Sequence, residues 1–296
     1  MGAAAGLALA RGLDPEQMLA ALGAAVTLIG PAPRNHLEEG VLIRNAWAAS
    51  GACQGFLALE WSRCGITGSA GAFFDVYSTV LGGTVDADRL TQGLGEGWAI
   101  MDGYTKVFAC CQHLHAAVQA VLQLGEISPA TVESIEVRCH PLAMAFVESQ
   151  PATTLGAKFS MPHALAATLV LRTGGSGAFA AATLHDPRIA TLRDKVSMHP
   201  WPGELRPPHD RCARVQVRLA NGQVLQSECL SAPGSPGNPL PADAWKAKLH
   251  KLARQVYPRM PQILEQIAAG DPARLCQTWT ALAHEMASPA RCLTPP

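Results

Sequence analysis

The chain has 296 residues, of which 48% are hydrophobic and 16% are charged, and its 23 basic and 23 acidic side chains give a formal charge of zero. A chain of this length and apolar content buries a sizeable core, as one large domain or two ordinary ones. The sequence has no clustered basic run and no apolar stretch of the ~18 residues that a membrane span needs, so we expect neither a nucleic acid nor a membrane as partner.

The first ten residues, MGAAAGLALA, are apolar. They lack a basic start and continue directly into Arg11, Asp14 and Glu16, so we interpret them as a helix and not as a leader peptide. Nine cysteines, an odd number in a chain this long, argue against a secreted disulfide framework. Reduced thiols and a cytoplasmic location are therefore expected.

The first hundred residues have a helical composition, rich in alanine and leucine. Asp14 is a suitable N-cap and Pro15 a suitable first-turn residue for a helix over residues 14–29. A second helix is predicted over 42–64, where small residues permit close helix packing. Shorter helices are predicted over 86–94 and 111–124, and Gly65 and Gly125 are expected to end the second and the last of these helices.

The pattern changes near residue 130. Residues 131–139 alternate polar and apolar, as a half-buried strand does, and residues 159–172 are typical of a helix. Strands are predicted over 195–199, 212–220 and 223–229, the last two joined by a hairpin turn at Asn221-Gly222. Helices return after Pro241, with breaks expected at Pro258, Pro261 and Gly270. The predicted plan is helices, a mixed lobe and helices again.

Four segments in this order carry a more specific pattern. They are RNAWAASGACQGFLALEWSRCGITG (44–68), KVFACCQHLH (106–115), FSMPHALA (159–166), and GSPGNPL (234–240) before a lysine-rich helix at 245–252. Together they resemble the MmgE/PrpD family, which includes 2-methylcitrate dehydratase and cis-aconitate decarboxylase.

The resemblance implies an α+β fold, in which a smaller α+β lid domain precedes C-terminal helices that return to a mainly helical domain, with the active site in the cleft. It implies three parts: the remaining helical domain (1–102), the lid domain (103–240) and the returning helices (241–296). It also implies that the N-terminal part of the helical domain is missing. Either the true start lies upstream, or the chain is a degenerate remnant.

The activity implied by the resemblance is that of a carbon–oxygen lyase, a hydro-lyase acting on a small di- or tricarboxylate. Dehydration of a hydroxy-acid resembling 2-methylcitrate is the leading hypothesis, and decarboxylation or epimerisation on the same scaffold stays open. The resemblance implies no organic cofactor and no metal, and it implies a homodimer. Two alternatives remain: a non-catalytic remnant that only folds or oligomerises, and a protein that binds carboxylates without turnover.

Dehydration of such an acid needs cations that hold carboxylates and groups that move a proton beside a carbonyl carbon. On the resemblance, Arg44 and Lys106 bind the substrate, and Lys106, Cys111, His115 and His163 are the catalytic candidates. Cys111 can transfer protons if Lys106 and a helix N-terminus lower its pKa to near 7. The alternative for the cysteines and histidines is packing within the core.

Zinc is a rival for the cluster of Cys110, Cys111, His113 and His115, which offers suitable ligand types. We disfavour it, because vicinal cysteines and two histidines close together on one helix cannot all point at one ion. The other histidines, among them His36 and His140, show no constellation in the sequence.

Overall fold

The computed structural model describes residues 1–30, 32–206, 209, 211–253 and 256–288. The predicted α+β class is confirmed, because many helices accompany one four-stranded mixed sheet. The helices are α1 (Gly2–Ala10), α2 (Pro15–Thr27), α3 (Asn35–Glu38), α4 (Trp47–Arg63), α5 (Ala72–Phe74), α6 (Ala87–Thr91), α7 (His115–Gln123), α8 (Thr154–Ala157), α9 (Met161–Leu171), α10 (Ala181–Leu184), α11 (Pro187–Arg193), α12 (Ala242–Ala253), α13 (Met260–Ala268), α14 (Pro272–Leu275) and α15 (Trp279–Ala287). The strands are β1 (Val132–Cys139), β2 (Val196–Pro200), β3 (Ala213–Leu219) and β4 (Val224–Cys229).

Helix α2 begins where the sequence predicts. The Asp14 carboxylate accepts a hydrogen bond from the Gln17 amide at 2.8 Å, and the Gln17 side chain accepts one from the Asp14 amide at 3.1 Å. This reciprocal pair satisfies two backbone donors that a helix start leaves open. The capping role predicted for Asp14 is confirmed.

Helices α1, α2 and α4 pack through small side chains. Ala4, Ala24, Ala25 and Ala58 form one buried cluster between them. A Cβ atom on Gly55 would lie 2.7 Å from the Ala3 Cβ, which is closer than real Cβ contacts come. The close helix packing predicted for the segment 42–64 therefore occurs. The segment is not one continuous α-helix, however, since a 3₁₀ turn (Leu42–Ala46) precedes α4 and contains Arg44.

The strands form one sheet in the order β2-β1-β3-β4. Strands β3 and β4 make the predicted hairpin, in which Gly222 has φ +85° and the Asn221 side chain accepts a hydrogen bond from the Gln223 amide. Strand β1 is antiparallel to β3 and parallel to β2, with Ile135 opposite Val196. The parallel pair requires a crossover, which is made by the segment that carries α8 to α11.

We call residues 105–238 the sheet lobe. Its core joins the inward side chains of the sheet to α7 and α9, and the buried residues run from Phe108 to Ala232. Helix α9 is buried from Met161 to Leu169, so it is apolar on every side, as a central helix of a core is. Ser160 caps α9, because its hydroxyl accepts a hydrogen bond from the His163 amide at 3.0 Å.

The C-terminal helices pack around Ile263, Leu282 and Met286. Pro261 was expected to break a helix, but it lies in the first turn of α13, where the missing amide hydrogen costs no helical bond. The predicted helical return beyond residue 288 lies outside the described residues. Within the described residues, none of the helices has both the length and the apolar character to cross a membrane.

Candidate active site

The segments around Arg44, Cys111 and Phe159 meet in the structure, although they lie far apart in the sequence. The Arg44 guanidinium carbon is 5.8 Å from the centroid of the Phe159 ring. The Cys111 amide donates a hydrogen bond of 2.8 Å to the carbonyl of Lys158, the residue before Phe159. The start of α4, the start of α7 and the start of α9 therefore converge.

Lys106 and His115 share one backbone acceptor. The Lys106 ammonium donates to the Cys110 carbonyl at 3.4 Å, and His115 Nε2 lies 3.3 Å from the same oxygen. A carbonyl only accepts hydrogen bonds, so we infer that the neutral ring carries its proton on Nε2. Lys106 is exposed, whereas the His115 side chain is buried between the rings of Tyr104 and Phe108.

The fourth segment holds the chain just before Lys106. The Thr105 amide donates to the Gly234 carbonyl at 2.8 Å, and the Gly234 amide donates to the Asn238 carbonyl at 2.8 Å. Gly234 has φ +89°, and a Cβ atom there would lie 1.8 Å from the Thr105 carbonyl oxygen. Only glycine combines this backbone conformation with so close an approach.

Burial is the largest influence on the pKa of the Cys111 thiol. Loss of solvent raises its pKa above the ordinary value, although a hydrogen bond from the His113 backbone and the charges of Lys106, Arg44 and Arg34 all act to lower it. The Lys106 charge lowers this pKa as the sequence suggests, but desolvation outweighs the cations, so the condition of a pKa near 7 is not met. Burial also raises the pKa of the neighbouring Cys110 thiol. Both groups favour the protonated form at neutral pH.

His115 is neutral at pH 7. Burial lowers its pKa to about 4, although the bond to the Cys110 carbonyl favours the charged ring, and the charges of Lys106 and Lys248 lower the pKa further. Lys248 lies on α12, in the lysine-rich helix of the fourth segment, and partial burial lowers its own pKa as well. A neutral imidazole here can accept a proton on its second nitrogen. Its single N–H proton is already engaged in the hydrogen bond to the Cys110 carbonyl.

His163 lies in a different environment, inside the core of the sheet lobe. Its Nε2 is 3.1 Å from the Ala178 carbonyl oxygen and 3.3 Å from the Thr183 hydroxyl, and its ring packs 5.9 Å from that of Phe179. Burial lowers its pKa too, with a smaller contribution from the charge of Arg193. The structure thus groups Arg44, Lys106, Cys111 and His115 together, and it surrounds His163 with other residues of the lobe core.

Sequence reasoning missed three members of the neighbourhood. Arg34 acts on Cys111 through its charge, Lys248 acts on His115, and the ring of His140 lies 5.0 Å from that of His113. The spacing of the histidines in the sequence does not reveal this contact between His140 and His113. In the described ranges, no three histidine, cysteine or acidic side chains are grouped so as to hold a metal ion.

A cavity of about 530 Å³ lies elsewhere, between the α1–α2 turn and the C-terminal end of α4. Its arginines, Arg11 and Arg63, both pair with Glu60. Helix α4 has 17 residues and is therefore about 25 Å long, so this cavity lies a helix length from Arg44. Because its charges are paired, we do not assign the site to it.

The fold and the convergence of these segments define an α+β protein with a cationic cluster where helical segments meet a mixed-sheet lobe. The family model of the MmgE/PrpD C-terminal domain matches residues 108–270. The chain therefore belongs to the MmgE/PrpD family, a family of dehydratase-like enzymes. A comparison with curated proteins gives no match.

Proposed function

We propose that the protein is a lyase that removes water from a small hydroxy-acid with two or three carboxylates, resembling 2-methylcitrate. One observation carries the proposal: the four segments that resemble the family meet at Cys111, Lys106 and His115. The meeting gathers positive charge, which suits a polycarboxylate. Family membership supports the class of chemistry.

The reaction breaks a carbon–hydrogen bond beside a carboxylate and a carbon–oxygen bond at the neighbouring carbon. The first carbon loses its proton to a base, its electron pair forms the new carbon–carbon double bond, and hydroxide leaves with a proton as water. Negative charge builds on the carboxylate next to the first carbon. A fixed cation there stabilises the transition state more than the substrate.

In this proposal, Arg44 and Lys106 bind carboxylates. The planar Arg44 guanidinium suits a bidentate pair with one of them, while Lys106 offers a point charge. Arg44 is ordered by stacking on Phe159 and Lys106 by the Cys110 carbonyl, so both charges are placed before substrate arrives. Such preorganisation is what electrostatic catalysis requires.

Cys111, His115 and His163 remain the candidates for moving protons. The Cys111 thiol keeps its proton at neutral pH, so its role would be that of an acid toward the leaving hydroxide, and its raised pKa makes it a weak one. His115 is uncharged at neutral pH and is the candidate base, although burial, which lowers its pKa to about 4, makes it a weak one. His115 and His163 are both fully buried, but His163 contacts Ala178 and Thr183 instead of the residues around Cys110, so it is the weakest of the three.

The test is turnover of 2-methylcitrate and citrate by the purified protein, followed by the absorbance of the unsaturated acid. Lys106→Ala should lower kcat/KM at least about tenfold, which corresponds to ~1.4 kcal/mol of lost transition-state stabilisation. Lys246→Ala is the matched control, because Lys246 is an exposed lysine on α12. Unchanged kinetics in the Lys106 variant would remove Lys106 from the site.

A carboxylate-binding protein without turnover is the second candidate. The raised pKa of Cys111 favours it, since the cations are present while this thiol is a poor proton donor. Calorimetry with citrate separates the two: heat of binding without any product would favour the binder. Product formation would favour the lyase.

We further propose a homodimer in the cytoplasm. Exposed apolar side chains in the helical part, among them Trp98, Ile100 and Met101, support an assembly that covers them. Light scattering on the purified chain measures the number of copies, and a monomer at all concentrations would reject the dimer.

A further inference from the structure

Arg34 ties the helical part of the chain to the sheet lobe. Its Nη2 donates a hydrogen bond of 3.2 Å to the Leu142 carbonyl. The amide of the same residue, Leu142, donates a hydrogen bond of 2.9 Å to His140 Nδ1. One residue of the lobe therefore connects Arg34 to the histidine that follows β1.

The connection continues to Cys111. The His140 ring lies 5.0 Å from the His113 ring, and the His113 backbone forms a hydrogen bond with the Cys111 thiol. From the other direction, Arg44 stacks on Phe159, next to the residue whose carbonyl accepts from the Cys111 amide. Two series of contacts, one starting at Arg34 and the other at Arg44, thus lead to the residues around Cys111.

The Arg34 guanidinium is accessible to a ligand, since its side chain is 52% exposed. Its Nε also donates to Glu38 at 3.2 Å, an exposed ion pair of the kind that contributes little energy. A guanidinium has five N–H donors, and the bonds to Leu142 and Glu38 use two of them. The hydrogen bond to the Leu142 carbonyl orients the Arg34 guanidinium and leaves its remaining N–H donors available for a ligand.

Among the described residues, Arg34, Arg44 and Lys106 all act on Cys111 through their positive charge. We infer that Arg34 is a further substrate-binding residue, whose contact with a third carboxylate makes the site bind a tricarboxylate more tightly than a dicarboxylate. This inference rests on the proposed function. A dicarboxylate would occupy Arg44 and Lys106 and leave Arg34 without a ligand group.

The experiment is calorimetry of the full chain with citrate as the tricarboxylate and succinate as the dicarboxylate. In Arg34→Gln, citrate affinity should fall about tenfold, as expected for one lost charge-assisted contact, while succinate affinity stays within about twofold. Arg34→Lys keeps the charge but loses the fork, so it should lie between the wild type and Arg34→Gln. Both variants change an exposed side chain, and thermal melting verifies their folding.

Two control variants distinguish a direct contact between Arg34 and the ligand from the loss of the Arg34–Glu38 ion pair and from a general loss of positive charge. Glu38→Gln removes the exposed ion pair and keeps Arg34, so citrate affinity should be unchanged or higher. Arg63→Gln removes a surface arginine at the far end of α4 and should change neither ligand.

The inference fails if citrate binds in a Lys106-dependent manner and Arg34→Gln weakens citrate and succinate equally or not at all. The proposed function survives that result. If the wild type binds neither acid, the proposed function fails and the inference fails with it.

Discussion

Replacing Gly234 by alanine tests whether the fourth segment positions the first residues of the site. Gly234 has φ +89°, and an added Cβ would lie 1.8 Å from the Thr105 carbonyl oxygen. No side-chain rotation relieves this contact, because both partners are backbone. The two segments must move apart, and the hydrogen bond from the Thr105 amide to the Gly234 carbonyl must lengthen.

The cost follows from three contributions, of which two destabilise the folded chain and one offsets them. A left-handed conformation costs a non-glycine residue ~1–2 kcal/mol. Losing the Thr105 hydrogen bond adds ~1 kcal/mol, and the reduced freedom of the unfolded alanine chain returns ~0.4–1 kcal/mol. The expected net loss is therefore ~2 kcal/mol in the free energy of unfolding, or a fall in Tm of roughly 4–8 °C at ~2–4 °C per kcal/mol.

Thermal and urea unfolding measure this loss, and Gly222→Ala is the matched control. Gly222 has φ +85°, almost the same backbone strain, but no atom lies within 4 Å of its added Cβ. Its variant should lose only the conformational contribution, so Gly234→Ala should be the less stable of the two. Binding of citrate should weaken in Gly234→Ala alone, because Thr105 precedes Lys106. Equal stability of the two variants would refute the reasoning.

Two further predictions follow from burial. Burial lowers the pKa of His115 from 6.5 to about 4. Between these two pH values the unfolded chain binds a proton at His115 that the folded chain does not bind. The free energy of unfolding should therefore fall by about 3 kcal/mol as the pH drops from 6.5 to 4. His115→Phe should show a smaller loss over this window in urea unfolding at each pH; parallel curves would contradict the assignment. Iodoacetamide at pH 7 should label exposed Cys53, Cys64 and Cys276 before Cys110 and Cys111, as peptide mass mapping would show, since burial raises the pKa of both latter thiols. Early labelling of Cys111 would mean that its thiol is open and acidic.

Local signals predicted the local structure well. Asp14 and Pro15 place the start of α2, and Asn221-Gly222 places the β3–β4 turn, because caps and turns depend on a few neighbouring residues. The parallel pairing of β1 with β2 was not predicted. Alternating polarity identifies a strand but does not say which distant strand lies beside it.

The candidate site was predicted only in part, because a local pattern identifies some of its residues but not the distant segments that pack beside them. Arg44, Lys106, Cys111 and His115 stand in segments with a recognisable pattern, and the structure brings them together. Arg34 and His140 reach the site only through the packing of distant segments, which no local spacing reveals. Lys248 stands in the lysine-rich helix of the fourth segment, but the pattern does not say that its charge acts on His115. The pKa of Cys111 could not be predicted either, because its sign depends on how much solvent the fold removes.

The sheet order has a consequence for synthesis on the ribosome. Strand β1 is central, yet its neighbours β2 and β3 both follow it in the chain, so a nascent polypeptide that has just completed β1 has two unpaired edges. Open edges with inward valines and isoleucine are templates for wrong pairing with another chain. The interval in which β1 waits for its partners is therefore the period when aggregation competes most strongly with folding, and a chaperone that covers this strand would raise the yield of folded protein.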